Sequence, residues 1–155
     1  MVLQQNGLYI VADSYFHAFP SAHWMWNKGE SRPHYYAIQD KNNLYWMIPL
    51  SSQAGSYKEK IQKIEKSRGV GNCLYYHIGK VSGRETAFII SGLFPVTPEY
   101  IVRSYTVNQQ PYVIQNKKLN RELHGKVMRY LCLLEQGRMK DINHILKIKE
   151  TLILK

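Results

Sequence analysis

The sequence is poor in cysteine and has no long hydrophobic run. Its 155 residues include only two cysteines, Cys73 and Cys132. Neither belongs to a Cys-x-x-Cys motif and both stand among apolar residues, which predicts buried free thiols and excludes a disulfide framework. No stretch approaches the roughly 18 apolar residues of a membrane span, so an integral membrane protein is excluded. The amino-terminal apolar run has no basic residues before it and is interrupted by Asp13, so we expect no cleaved signal peptide and a cytoplasmic protein.

Acidic residues are few and scattered. The chain has 11 Asp and Glu, and those that could hold a catalytic divalent metal, such as Asp13, Glu30, Asp40 and Glu99, stand in separate segments. The six histidines are scattered as well. The sequence has no HExxH, DxD, P-loop, GxGxxG or GxSxG motif. It therefore predicts no metal site and no cofactor, and it disfavours metal-dependent nucleases and esterases with a nucleophile elbow.

Positive charge is in excess. The chain has 21 Lys and Arg against 11 Asp and Glu, a net charge of +10 and a pI of about 9.6. Residues 117–155 contain ten bases and four acids, and residues 56–68 contain five bases and two acids, so two segments carry nearly the whole excess. A basic surface can simply keep a small protein soluble, but this clustering favours a polyanionic partner, nucleic acid first.

Hydropathy patterns predict one α+β domain over residues 1–155, a usual size for a single core. Alternating, β-rich runs indicate six or seven short strands in a mainly antiparallel sheet. These strands are predicted at residues 8–11, 34–39, 44–48, 74–78, 86–90, 101–107 and 112–115. Apolar residues at three- and four-residue intervals indicate helices at 57–67, at 116–137 and from about residue 139, the last two packed as a pair on the sheet.

The residues left for chemistry suit metal-free RNA cleavage, in which the substrate's own 2′-hydroxyl attacks the adjacent phosphate. Such a reaction needs proton transfer and hydrogen-bond donors to the developing charge, which His, Tyr, Ser, Lys and Arg can supply. Antiparallel pairing of the strand that His34 opens with the strand that ends near Ser51 and Ser52 would bring the three residues together. The alternatives are a histidine at a strand edge and a serine turn that caps a helix.

Four segments, spread over roughly residues 7–106, resemble a known family. They read GLYIVADSYF, RPHYYAIQD, LYWMIPLSSQ and GLFPVTPEYI, and the Pro-Leu-Ser-Ser step is the most specific element. The sequence resembles the endoribonuclease toxins of type III toxin-antitoxin systems, the ToxN/AbiQ family, and within it the CptN branch. The resemblance implies a compact, mainly antiparallel and partly barrel-like sheet with peripheral helices, similar to the Kid/MazF fold.

The resemblance also implies a function. Proteins of this family are metal-independent endoribonucleases that leave 2′,3′-cyclic phosphate and 5′-hydroxyl ends on cellular RNA. The implied partner is an RNA antitoxin, a pseudoknot repeat that the toxin cuts from a longer transcript and with which it assembles into a closed ring. We expect no DNA or membrane partner. Two alternatives stay open: an RNA-binding module without catalysis, and a MazF-type ribonuclease neutralised by a protein antitoxin.

The resemblance places Ser51 and Ser52 on the catalytic pair that contacts the scissile phosphate and the 2′-hydroxyl. Tyr15 matches a tyrosine of the family's active site, although a core aromatic would give the same pattern. His34 stands at or beside a position where the family can have a lysine. A histidine there could transfer protons near neutral pH, because its unperturbed pKa is about 6.5.

One basic residue of the family pattern is missing. Where the family has a lysine about two residues after the serine pair, this chain has the segment Gln-Ala-Gly-Ser, and the first lysine is Lys58. Either Lys58 reaches back to the site, or Lys28 and Arg32 supply the positive charge from another strand. Each of the three is equally compatible with a solvated surface position.

Other basic and aromatic residues are predicted to bind RNA. Bases on the predicted helices are expected to contact the phosphate backbone of the antitoxin. These residues are Lys60, Lys63, Lys66, Lys117, Lys118, Arg121, Lys126 and Arg129. Unpaired bases are commonly read by aromatic stacking, and the candidates are Trp24, Trp26, Tyr35, Tyr45 and Trp46. Several of these rings must belong to the core.

Overall fold

A computed structural model describes residues 2–154, and Met1 and Lys155 lie outside the described part. Seven strands form an antiparallel sheet in the order β4-β5-β3-β2-β1-β7, with β6 paired to β3 beside this path. The strands are β1 (Leu8–Val11), β2 (Pro33–Gln39), β3 (Tyr45–Ser51), β4 (Tyr76–Val81), β5 (Arg84–Ile89), β6 (Phe94–Val96) and β7 (Ile101–Ser104). A small hairpin follows, formed by β8 (Thr106–Val107) and β9 (Gln110–Pro111).

Strand β3 organises the sheet because its two halves pair with different neighbours. Its first half, from Tyr45 to Met47, pairs with β6, and its last residues, Leu50 and Ser51, pair with β5. On its other edge, β3 pairs with β2 from Tyr45 to Pro49. On the edge opposite β2 the partner therefore changes from β6 to β5 between Met47 and Leu50, and Ser51 lies beside β5.

Four helices cover the sheet: α1 (Asp13–Ala18), α2 (Ala54–Arg68), α3 (Lys117–Glu135) and α4 (Ile145–Ile153). The side chain of Asn116 caps α3 by accepting a hydrogen bond from the Leu119 N–H at 3.0 Å. Most apolar positions of α3 are buried, as its three- and four-residue spacing predicts, but Met128 is exposed. Gly79 allows α3 to approach β4, because a Cβ there would lie 2.7 Å from the methyl groups of Leu119.

The two sides of the β3–β5–β4 region carry different helices. Successive residues of a strand face opposite sides of a sheet. Ser51 pairs with Ala87, and Ile89, two residues further along β5, pairs with Tyr76, so Ser51 and Tyr76 face the same side. Helix α2 covers this side, since the ring of Tyr57 lies 4.9 Å from that of Tyr76. Helix α3 packs on the opposite side.

The predicted α+β architecture with an antiparallel sheet is confirmed, and several elements need correction. Helix α1 and strand β6 were not predicted. Residues 112–115 form no strand and contribute one isolated bridge, from Val113 to Gly7. The last helix begins at Ile145 and not near residue 139, because the Asp141 carboxylate accepts hydrogen bonds from the Ile145 and Leu146 N–H groups and fixes the helix start there.

Most of the hydrophobic side chains that the structure buries form one cluster. Cys73 is buried as predicted, but Cys132 is exposed on α3, so the expectation of a second buried thiol is wrong. Within residues 2–154, no helix is both long and apolar enough to cross a membrane.

Candidate active site

The serine pair lies between the end of β3 and the start of α2. Ser51 is buried, and its hydroxyl accepts a hydrogen bond from the Gln53 N–H at 3.2 Å. Ser52 is exposed. Helix α2 begins two residues later, at Ala54. The first turn of a helix has free N–H groups and carries the positive end of the helix dipole, so the Ser52 hydroxyl stands beside a polar environment that favours an anion.

Arg32 lies across from the serine pair and is held rigidly. The pairing of His34 with Pro49 puts residue 32 opposite Ser51 in the antiparallel register. The Arg32 side chain donates hydrogen bonds from Nε to the Trp26 carbonyl, at 2.7 Å, and from Nη1 to the Leu50 carbonyl, at 2.6 Å.

Arg32 is only 7% exposed, and burial lowers the pKa of its guanidinium, while its interaction with Tyr57 opposes that shift. An arginine keeps its charge under such a shift. The structure therefore holds a cation on the Leu50 carbonyl, two residues along the chain from an exposed serine and four from the start of a helix.

His34 comes near the pair, as the strand pairing predicted, but it is part of the core. It is 1% exposed, and its ring packs against Phe16 and Phe94 with centroids 6.4 and 5.4 Å away. Its Nδ1 donates to the Arg32 carbonyl at 3.0 Å. Burial lowers the pKa of His34 to about 3; the hydrogen bond to that carbonyl opposes the shift, and the Arg32 charge adds to it.

At neutral pH the His34 imidazole is therefore uncharged and poorly basic. Its hydrogen bond to the Arg32 carbonyl helps to hold the main chain of Arg32 in place. The expectation of a histidine that transfers protons near neutral pH is corrected, because the side chain faces the core and not the surface.

Tyr15 is also a core residue. It is fully buried on α1, and its hydroxyl donates to the Pro95 carbonyl at 2.7 Å. Burial raises the pKa of Tyr15 far above its ordinary value, and the nearby Tyr100 adds to this. The geometry gives Tyr15 the role of joining α1 to β6, and it does not present the phenol to a substrate.

Two of the predicted stacking residues are buried in the same way. Tyr35 is fully buried, and its hydroxyl hydrogen-bonds to the side-chain oxygens of Asn6 and Asn120. Trp46 is 1% exposed and donates from Nε1 to Asp40. Their rings have no free face for a base, so these two RNA contacts are corrected to core positions.

Tyr45 is partly exposed, but at the far end of β3. Six residue steps of a strand place it about 20 Å from Ser51. Its ring packs edge-on against Tyr36 at 5.0 Å. Any RNA contact by Tyr45 is therefore outside the immediate surroundings of the serine pair.

The lysines near the site differ in their partners. Lys58 forms an ion pair with Glu85, and both side chains are about half exposed. Lys28 is exposed in the loop between Trp26 and Arg32, with a left-handed φ of 53°. The charge of Lys58 is thus partly neutralised.

Sequence reasoning missed a cluster at the surface of α2. The Lys60 ammonium lies 4.7 Å from the ring centroid of Tyr57 and 5.7 Å from that of Tyr76. The spacing of Tyr57 and Lys60 on one helix was visible in the sequence. Tyr76 is 16 residues beyond Lys60, and only the fold brings it to them.

A basic groove of about 960 Å³ lies at the other end of α2, between that helix end, the loop after it, α3 and the segment that follows α3. Six cationic side chains and one carboxylate, Glu122, line it. The cations are Arg68, Arg121, Lys126, Arg129, Arg138 and Lys140. Burial lowers the pKa of Lys126, and nearby anionic groups oppose the shift.

Three of the predicted RNA contacts, Arg121, Lys126 and Arg129, meet in this basic groove. The other predicted lysines on α2 and α3 are exposed outside it: Lys60, Lys63, Lys66, Lys117 and Lys118. In the part of the chain described, no three His, Cys, Asp or Glu side chains are grouped so that they could hold a metal ion.

Comparison with known proteins identifies the fold. No protein-family model matches the sequence, and no curated protein matches it significantly. Among solved structures, it is similar to AbiQ, a lactococcal anti-phage endoribonuclease of the type III toxin-antitoxin system, with a TM-score of 0.65 and 12% identity over 96% of this chain and 98% of AbiQ.

A second similar structure belongs to a bacterial antiviral system that a processed non-coding RNA regulates. Its TM-score is 0.56, with 10% identity over 91% of this chain and 95% of that chain. The resemblance to the ToxN/AbiQ family that the sequence motifs indicated is confirmed at the level of the fold. The chain has the mixed α and β fold of the AbiQ endoribonuclease over nearly its whole length.

Proposed function

We propose that this protein is a metal-independent endoribonuclease toxin of a type III toxin-antitoxin system. The observation that carries the proposal is the position of Ser51 and Ser52 against Arg32 at the start of α2, within a fold similar to that of AbiQ. The serine pair is the most specific element of the sequence resemblance. The site and the fold thus support the same activity.

The proposed reaction uses the 2′-hydroxyl of the RNA as the nucleophile. Its oxygen forms a bond to phosphorus as the bond from phosphorus to the 5′-oxygen breaks. The 2′-hydroxyl loses its proton and the leaving 5′-oxygen gains one, so the products are a 2′,3′-cyclic phosphate and a 5′-hydroxyl. Charge builds up on the phosphoryl oxygens in the transition state, and fixed donors there give the largest stabilisation.

This chain offers three groups for that charge. The exposed Ser52 hydroxyl contacts the scissile phosphate and the 2′-hydroxyl, the N–H groups at the start of α2 favour the phosphate, and Arg32 supplies a charge whose position is fixed by two carbonyl groups. Ser51 has a positioning role, because its hydroxyl holds the Gln53 N–H and so fixes the turn that carries Ser52. Lys28 extends the positive charge toward the surface.

The proposed partner is an RNA antitoxin of pseudoknot repeats, with which the toxin forms a closed protein–RNA ring in the cytoplasm. The basic groove supports this partner, because six cations around one concave surface suit a folded phosphate backbone. The groove begins at Arg68, and the 15 residues of α2 separate it from the serine pair by about 20 Å. One toxin could therefore hold a folded RNA while a free strand reaches the active site. AbiQ's anti-phage role makes phage defence the role to test first.

The activity is tested with purified protein, a defined structured RNA and excess EDTA. We expect cleavage that leaves cyclic phosphate and 5′-hydroxyl ends, and we expect Ser52→Ala to reduce the rate at least 100-fold, the size of effect typical for a lost transition-state donor. The matched control is Ser56→Ala, since Ser56 is an exposed serine in the first turn of α2.

Tight RNA binding without cleavage by the unmodified protein, over a panel of structured RNAs, would contradict the enzyme and favour a binding module. The antitoxin is tested from the neighbouring DNA. Tandem repeats of a few tens of nucleotides upstream favour an RNA antitoxin, and a small upstream reading frame favours a protein one. The mass of the protein bound to a repeat transcript then tests the ring.

A further inference from the structure

We propose that Lys60, held over the rings of Tyr57 and Tyr76, binds a phosphate of the single RNA strand next to the scissile bond. This inference rests on the proposed ribonuclease function and deepens it. It assigns the cation that the family pattern leaves open after the serine pair to a residue further along α2.

Lys60 has no carboxylate partner among the described residues. Lys58, by contrast, forms an ion pair with Glu85. Two phenol rings hold its ammonium at 4.7 and 5.7 Å from their centroids. A cation held on aromatic faces is kept in place without being neutralised, so Lys60 can give its full charge to an incoming phosphate.

Lys60 also lies on the same side of the sheet as the serine pair. Tyr76 and Ser51 face the same side of the sheet, two strands and two residues apart, a separation of about 12 Å. Tyr57 packs on Tyr76, and its interaction with Arg32 opposes the lowering of that residue's pKa. Lys60 therefore lies on the side of the sheet that Ser51 faces, about 9 Å along α2 from the first residue of the helix.

The Lys60 ammonium is accessible to an RNA strand. Lys60 is exposed, and the rings beneath it are partly buried. The ring of Tyr57 lies one helical turn before Lys60, the spacing at which side chains on a helix meet. The two rings therefore support the lysine side chain, and the ammonium is the group that an extended RNA strand contacts. Tyr57 and Tyr76 act through Lys60 and are positioning residues.

The test measures binding of a fluorescent, mixed-sequence, 2′-O-methylated single-stranded RNA, which cannot be cleaved, at several KCl concentrations. We expect Lys60→Gln to weaken binding and to reduce the slope of log affinity against log salt by about 0.7, the contribution of one phosphate contact on a single strand. Lys60→Arg should restore both. The control is Lys41→Gln, an equal loss of charge in the exposed turn between β2 and β3, at the end of β3 far from Ser51.

A second set of variants tests the rings. Replacing both tyrosines by phenylalanine keeps the aromatic faces and should keep the salt slope, whereas leucine at both positions should lower the slope as Lys60→Gln does. Thermal unfolding confirms that each variant is folded. Equal slopes for Lys60→Gln and the unmodified protein would overturn the inference, whether or not the protein cleaves RNA.

The same variants separate this inference from the proposed enzyme. If a cleavable RNA is cut, Lys60→Gln should lower kcat/KM about tenfold relative to Lys41→Gln. If no RNA is cut but the salt slope falls as expected, the phosphate contact stands and the ribonuclease function fails.

Discussion

His34 shows how burial decides the chemistry of a residue. Sequence and strand register place it within reach of the serine pair, where an imidazole would suit proton transfer. In the structure its side chain lies in the core, where its ring packs against Phe16 and Phe94 and its Nδ1–H donates a hydrogen bond to the Arg32 carbonyl. The charged imidazolium of His34 is therefore disfavoured, and the group that can act on a phosphate here is the Arg32 guanidinium.

The lowered pKa of His34 predicts an acid-sensitive fold. Its pKa is about 3 in the folded protein and about 6.5 in the unfolded chain. Between these values the unfolded chain binds the additional proton, so stability falls as the pH falls below 6.5. We expect His34 to account for a loss of about 2 to 3 kcal/mol between pH 7 and 4.5.

Urea unfolding at several pH values measures this effect. His34→Gln keeps a donor for the Arg32 carbonyl but does not titrate, so its stability should fall less steeply over the same range. The control is His17→Gln, which replaces an exposed histidine. Its stability should depend on pH as that of the unmodified protein does. Parallel curves for all three proteins would show that His34 is not protected from protonation.

Arg32 gives a second prediction at the scale of one residue. Its two hydrogen bonds to carbonyl groups depend on the planar, multi-donor shape of guanidinium. Arg32→Lys keeps the charge but cannot make both bonds in the same geometry. We expect kcat to fall at least tenfold with little change in KM, since the charge acts on the transition state. A variant with normal kcat would mean that charge alone, without its fixed position, is sufficient.

The elements that the sequence predicted have either an unbroken apolar run or a long helical period. The β-rich runs of β1, β2 and β3 and the apolar spacing of α3 are visible without the fold, because each extends over at least four residues. Helix α1 has six residues and β6 has three, one of them a proline, so neither is long enough to show a period.

These two missed elements explain the errors at the site. Phe16 on α1 and Phe94 on β6 cover His34, and Tyr15 on α1 donates to the Pro95 carbonyl of β6. When α1 and β6 are not recognised in the sequence, nothing predicts that His34 and Tyr15 are buried, and both remain candidates for catalysis. By contrast, local patterns predict that Ser51 and Ser52 lie between a strand and a helix, and the structure has them there. Their chemistry stays a proposal.

The start of α4 gives a prediction at the scale of an element. The Asp141 carboxylate accepts from the N–H groups of Ile145 and Leu146 at 2.9 and 3.0 Å, which satisfies two donors at the helix start. Asp141→Ala should lower the free energy of unfolding by about 1 to 2 kcal/mol. Asp141→Asn keeps an oxygen acceptor and should lose less. Equal losses for the two variants in urea unfolding would mean that the charge, and not the hydrogen bonds, fixes the helix.

At the scale of the whole molecule, the excess charge is not spread evenly. The basic groove and the serine site lie at opposite ends of α2, joined by the lysines of that helix. Phosphates bound in the groove would be held by charge and would show no preference for base sequence, whereas the serine site must position one particular phosphate. This separation suits a protein that holds a folded RNA in one place and cuts a strand in another.

The separation predicts that the two activities can be removed independently. Replacing Arg121, Arg129 and Arg138 by glutamine removes three cations from the groove, all on exposed positions. We expect binding of a structured RNA to weaken and its salt slope to decrease by about 2 to 3, about one for each lost phosphate contact. Cleavage of a short unstructured RNA at the serine site should change less than about twofold, because the groove is about 20 Å away.

The matched control removes the same number of charges from exposed positions outside the groove, at Lys41, Lys80 and Lys147. It should keep most of the affinity for structured RNA. If the groove variant and this control lose affinity equally, RNA binding depends on net charge alone and the groove has no special role. If the groove variant instead loses cleavage of the short RNA in proportion to binding of the structured one, the two sites are one continuous surface.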